Sequence, residues 1–232
     1  MALPKLETPT YEITIPSSGK VIEYRPFLVK EEKILMMAQE TNDTDNIINA
    51  MKSIIKSCTY NKVNPNDLTL YDAEYLFIQF RSKSVGELVE FMLKCKECEH
   101  MTKVKLSLSD VRVRNSDKEV DSKIQLTDRI GITLRPVGLK HATGLTADTD
   151  DITKVLCSVI DTIFDDDKIY PADDTSSAEL VEFIDSLNHD QISQIQAYIE
   201  NLPTLSHDLV FQCPECKTKN EVTLRGLQDF FG

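Results

Sequence analysis

Two thiol knuckles, Cys95-Lys96-Glu97-Cys98 and Cys213-Pro214-Glu215-Cys216, constrain this chain more than any other feature. A closed tetrahedral metal shell takes four ligands, and one CxxC pair supplies only two. Each knuckle is followed by five residues, a valine, one residue and a leucine: Val104 and Leu106 after the first, Val222 and Leu224 after the second. Alternate apolar residues of this kind face one side of a strand. The spacing predicts a single structural zinc site split across the chain, with Cys95, Cys98, Cys213 and Cys216 as ligands. Competing readings are a redox CxxC or knuckles that have lost their metal. A thioredoxin-like redox pair belongs at a strand-to-helix turn, whereas both pairs here precede strands.

The shared pattern extends beyond the cysteines. "ITIPSSGKVIEYRPFLVK" from Ile13 and "IQLTDRIGITLRPVGLK" from Ile124 each read as strand, turn, strand, then Arg-Pro, three residues and Lys. "TDNIINAMKSIIKSCTYNKV" parallels "TDDITKVLCSVIDTIFDDDKI", and "YDAEYLFIQF" parallels "SSAELVEFI", in the same order. The expected fold class is therefore α+β: two related halves, residues 11–110 and 122–232. Each half has a β-hairpin, helices, a CxxC knuckle and a strand, and the split zinc site clamps the halves together. The polar segment "DVRVRNSDKEVDS" is expected to link them.

Helical spacing predicts the helices. Ile34, Leu35 and Ala38 mark one, Ile47, Ile48, Met51, Ile54 and Ile55 a second, and Ala73, Leu76 and Phe77 a third. In the second half, Thr149 or Asp150 caps a helix carrying Ile152, Leu156, Val159, Ile160 and Ile163. "TSSAELVEFIDSL" is a helix with capping hydroxyls. Ile192, Ile195, Tyr198, Ile199 and Leu202 line another, which ends at Pro203.

Composition limits the function. A formal charge of −12 argues against a broad phosphate-binding surface, hence against a nucleic-acid partner. No apolar run approaches the roughly 20 residues that span a bilayer, so membrane insertion is not expected. The first residues lack a signal-peptide core. The acidic stretches of the second half lack calcium-loop spacing and read as caps and solvated turns. Cys58 and Cys157 read as small core residues. The four histidines form no nucleophile–base pair, and no GxSxG, HExxH or P-loop is present. The expectation is a non-enzyme. Arg25 with Lys30, and Arg135 with Lys140, suit either an anion site or strand exits where arginine pairs a nearby acid, and the second is favoured. Leu227, Phe230 and Phe231 make an apolar "LRGLQDFFG" that should be docked on its own core or on a partner.

The strings "IPSSGKVIEYRPFLVKEEKILMMA", "YDAEYLFIQFRSKSVGE" and "LSHDLVFQCPECKTKNEVTLRGLQDFF" resemble the baseplate family of T-even-type contractile-tail bacteriophages over nearly the whole chain. The resemblance implies a hub structural or assembly role in the infected bacterial cytoplasm, or in the finished tail baseplate. Its partners would be other baseplate hub and tail proteins, and it brings no catalytic residues. A zinc-ribbon adaptor for nucleic acid or the transcription machinery is the alternative, and predicts salt-sensitive binding.

Overall fold

The computed structural model describes residues 6–41, 43–116, 120–142 and 152–231. The chain opens with an antiparallel hairpin, β1 (Tyr11–Thr14) and β2 (Val21–Tyr24), in which Ile13 faces Ile22 and Tyr11 faces Tyr24. Gly19 turns the hairpin with φ of 66°, a conformation that costs glycine nothing. Helices α1 (Val29–Glu40), α2 (Thr44–Cys58) and α3 (Leu70–Val85) follow. Asp43 caps α2, and Thr69 with Asp72 makes a capping box on α3. The buried Asp72 carboxylate also accepts the Ser17 N–H at 2.9 Å, so the cap of α3 fixes the hairpin turn.

Strands β3 (Leu88–Lys94) and β4 (Met101–Ser107) form a hairpin around the first knuckle. Then come β5 (Arg112–Arg114), β6 (Lys123–Gln125) and β7 (Gly131–Leu134), followed by α4 (Ile152–Val159), β8 (Ile160–Phe164) and β9 (Ile169–Pro171). Helices α5 (Ser177–Asp185) and α6 (His189–Asn201) both start in capping boxes, Ser176 with Glu179 and Asn188 with Gln191. A second hairpin, β10 (Thr204–Gln212) and β11 (Lys219–Arg225), surrounds the second knuckle, and α7 (Gly226–Phe231) follows. Besides the β1–β2 and β3–β4 pairs, the sheets run β11-β10-β5 and β6-β7-β8-β9.

Three apolar clusters hold these elements. Ile54, Ile55, Leu76 and Phe80 centre the first, under the β1–β2 hairpin, and Ile132, Ile160 and Ile195 centre the second. The third joins α3 through Ile78 to the knuckle hairpins through Leu106, Leu209 and Leu224. Cys58 is fully buried in the first, where burial pushes its thiol up to about 12. Cys157 packs half-buried against the second.

Two expectations are corrected, and one open alternative is decided. The helix expected to run through Ile160 and Ile163 stops at Val159, and those residues form β8 against β7. The run Val159, Ile160, Thr162, Ile163 is β-branched, and branching at Cβ disfavours helix while suiting a pleated sheet. The proposed cap, Thr149 or Asp150, lies outside the described residues. The presumed linker contributes β5, which adds to β10 with Val113 opposite Leu205, while Val111 is fully buried. Phe230 is also fully buried, in the third cluster beside half-buried Leu227. It is thus a core residue of its own chain, not an exposed anchor; the Phe231 side chain lies outside the described residues.

The two Arg-Pro exits behave alike. The Arg25 N–H donates to the Cys58 carbonyl at the end of α2, and the Arg135 N–H to the Val159 carbonyl at the end of α4. Arg25 is buried and pairs Glu31 at 2.9 Å, while Arg135 bridges Asp161 and Asp173. Both guanidiniums are therefore matched by acids. Burial alone would favour the neutral Glu31 acid. Hydrogen bonds from Arg25, Ser57 and the Leu28 N–H outweigh it and lower the carboxyl from 4.5 to about 2. A depressed carboxyl stabilises the fold fully above its unfolded value and progressively less as pH falls through its folded one. Urea titrations should therefore show Glu31→Gln losing most stability near neutrality, with the gap to wild type closing between pH 4.5 and about 2. A gap that stays constant across that window would contradict this network.

Candidate metal centre

Each knuckle is the turn of a hairpin, and the two turns are built alike. The Cys95 N–H donates to the His100 carbonyl at 2.9 Å, and the Cys213 N–H to the Thr218 carbonyl at 2.9 Å. The Glu99 N–H returns to Cys95 and the Lys217 N–H to Cys213, both at 3.1 Å. Glu99 and Lys217 take left-handed φ values of 59° and 60°, which close each turn over its cysteines. His100 is half-buried and serves this turn through its backbone.

The two turns meet. Cys95 Sγ lies 3.6 Å from Cys216 Sγ, and Cys98 Sγ lies 3.5 Å from Cys213 Sγ, across separations of 121 and 115 residues. All four sulfurs fall within 4.8 Å of one another. Sulfurs about 2.3 Å from one zinc at tetrahedral angles would sit about 3.8 Å apart, so the donor set fits such an ion. One cysteine of each knuckle (Cys95, Cys213) is buried and the other (Cys98, Cys216) exposed. The electrostatics point the same way. Backbone N–H groups of Cys98 and Glu97 lower the Cys95 thiol to about 6. Cys98 rises to about 12: the His100 N–H lowers it, but the sulfurs of Cys216, Cys213 and Cys95 together prevail. Crowded thiols cannot all ionise unaided, and a divalent cation among them removes that obstacle.

Sequence spacing located all four cysteines but missed Asn220, which is buried between the knuckles. Its Oδ1 accepts the Lys96 N–H at 3.0 Å, and its Nδ2 donates to Cys95 Sγ at 3.5 Å and to the Thr218 carbonyl at 3.0 Å. The position equivalent to Asn220 after the first knuckle is Thr102, whose buried hydroxyl has no hydrogen-bond partner among the described residues. The reason is legible in the sequence: the residue equivalent to Lys96 is Pro214, which has no N–H to offer. Groups that orient metal ligands typically matter 10–100-fold in affinity. Asn220→Ala should weaken metal binding by about that factor in competition against a chromophoric chelator. An unchanged affinity would remove Asn220 from the site.

The residues matched by known proteins include all of these. The family described as T4 bacteriophage base plate protein matches residues 8–232. The chain belongs to that family. Among its relatives is the "Baseplate hub assembly protein gp26" of Enterobacteria phage T4, 25% identical over 222 residues, covering 95% of this chain and 97% of that protein. No solved structure matches the chain. Membership in the base plate family gives the chain a structural or assembly role in the phage baseplate. Among the described residues, no helix is long and apolar enough to cross a membrane.

Proposed function

We propose that this base plate family member acts in the hub, as a structural or assembly protein working through protein–protein contacts rather than catalysis. The similarity to a T4 hub assembly protein along almost the full length of both chains carries this reading. Its partners are other hub and tail proteins, met in the host cytoplasm during assembly; neither nucleic acid nor membrane takes part. Residues 11–110 and 122–232 are two related halves, a reading supported by the matching knuckle turns and the matching Arg25 and Arg135 exits. A structural zinc held by Cys95, Cys98, Cys213 and Cys216 fastens them, supported by the sulfur separations. Rigidity is what a hub part needs, and a four-thiolate shell provides it without leaving a position for substrate.

Phage lacking this chain should accumulate baseplate intermediates arrested at the hub, visible by electron microscopy and rescued by the wild-type chain in trans. Normal tails in its absence would refute the role. Baseplates that fail without it yet never co-purify with it would refute action by direct contact.

A further inference from the structure

The two knuckle hairpins differ in what covers their edges. Strand β10 receives β5 along Thr204–Ser206. Strands β3 and β4 pair only with each other among the described residues. In their register Val89 faces Leu106, Phe91 faces Val104 and Leu93 faces Thr102. The Glu87 carbonyl accepts from the Leu108 N–H on the β4 side, and the Cys95 N–H donates to that same side. Backbone groups alternate in direction along a strand. Odd-numbered residues of β3 therefore bond β4, and Leu88, Glu90, Met92 and Lys94 direct their N–H and C=O groups to the open edge.

The two open edges are not equivalent. The β4 edge carries Lys103 and Lys105 at its middle, and edge lysines discourage strand addition. The β3 edge has Met92 at its middle, 57% exposed, with Leu88 67% exposed nearby. A seven-residue edge strand with apolar residues at its centre is a template for another strand.

We propose that β3 is a self-association edge, on which the β3 strand of a second copy of this chain pairs antiparallel about a twofold axis at Met92. In that register Met92 faces Met92 of the second copy. Glu90 faces Lys94 of the second copy, and Lys94 faces its Glu90. Each of these is a pair of the kind that exchanges two backbone hydrogen bonds. Both facing pairs have opposite charges; within its own chain Glu90 also bridges Lys103 and Lys105, and Lys94 pairs Glu99, so each pair between copies extends an existing row of alternating charges. Phe91 meets Leu93 of the second copy on the inner face. Moving the axis to Glu90 or Lys94 sets like charges directly opposite, which is destabilising. The paired stretch ends where Asn220 already takes the Lys96 N–H.

Pairing of one short edge buries little area, so the dimer is expected to be weak, with a dissociation constant of micromolar order. Sedimentation velocity of the full-length, metal-loaded chain, from submicromolar to submillimolar concentration, should show monomer giving way to dimer. In the concentrated sample the Glu90, Met92 and Lys94 amides should gain protection from hydrogen exchange. Met92→Pro removes only an N–H on the open edge, a position that tolerates proline. It should stay monomeric with unchanged metal content and circular dichroism. Glu90→Lys should weaken the dimer, and adding Lys94→Glu should restore it. A wild-type chain monomeric throughout overturns the proposal. So does a dimer whose β3 amides stay unprotected, a dimer unaffected by Met92→Pro, or a charge swap that fails to restore pairing.

Discussion

If the proposed site holds zinc, replacing Cys213 by Ser should take the metal from about one ion per chain to none, and loosen both knuckle hairpins together. Cys213 is buried, and its Sγ sits against Cys98 Sγ from the other knuckle. With three ligands left, the ends of β3–β4 and β10–β11 lose the link between them. The residues that then lose support are those of the third cluster, Leu106, Leu209 and Leu224. Hydrogen exchange should show deprotection on both hairpins, although they lie far apart in sequence. Elemental analysis reads the metal directly. Cys58→Ser is the control, since Cys58 is buried in the first cluster, away from the knuckles, and should leave the metal content unchanged. Full metal in a Cys95→Ser, Cys98→Ser double variant would disprove a site shared between the knuckles.

The second large effect is expected at Phe230. Phe230→Ala empties a fully buried aromatic position between α3 and the knuckle hairpins, and truncations of that kind cost about 3–5 kcal/mol. The helix carrying it is also held by the Glu74 carboxylate on α3, which accepts the Leu227 N–H at 3.3 Å. Denaturant unfolding of Phe230→Ala should show a midpoint shift of that size with unchanged metal stoichiometry. Phe230→Leu should recover part of it, because leucine leaves a smaller cavity than alanine. A loss below about 1 kcal/mol would mean that the ring is not packed as described.

What the sequence made legible follows from how local each signal is. The four cysteines were legible because ligand spacing within a knuckle is local, and because the same downstream valine and leucine follow each pair. Arg25 and Arg135 were legible as strand exits, but Ser57, 32 residues from Arg25, was not legible as a partner. The end of α4 was hidden because Val159, Ile160 and Ile163 satisfy a helical stripe as well as a strand. Strand β5 spans three residues, too short for any alternation to stand out, and only its partner β10 defines it. Asn220 sits in an ordinary polar run, "KTKN". Its role emerges only when Pro214 is set against Lys96.

That single difference governs which knuckle recognises which. Two second knuckles brought together from separate chains would present two prolines to two asparagines, and neither asparagine would find its N–H. Two first knuckles would leave both Lys96 N–H groups without an amide acceptor. Only the mixed pair supplies the bond seen between Asn220 and Lys96. Four identical thiols cannot tell one partner from another, so fidelity falls to one backbone hydrogen that proline lacks. In a crowded assembly line, that hydrogen rejects like-with-like pairing of knuckles from neighbouring chains.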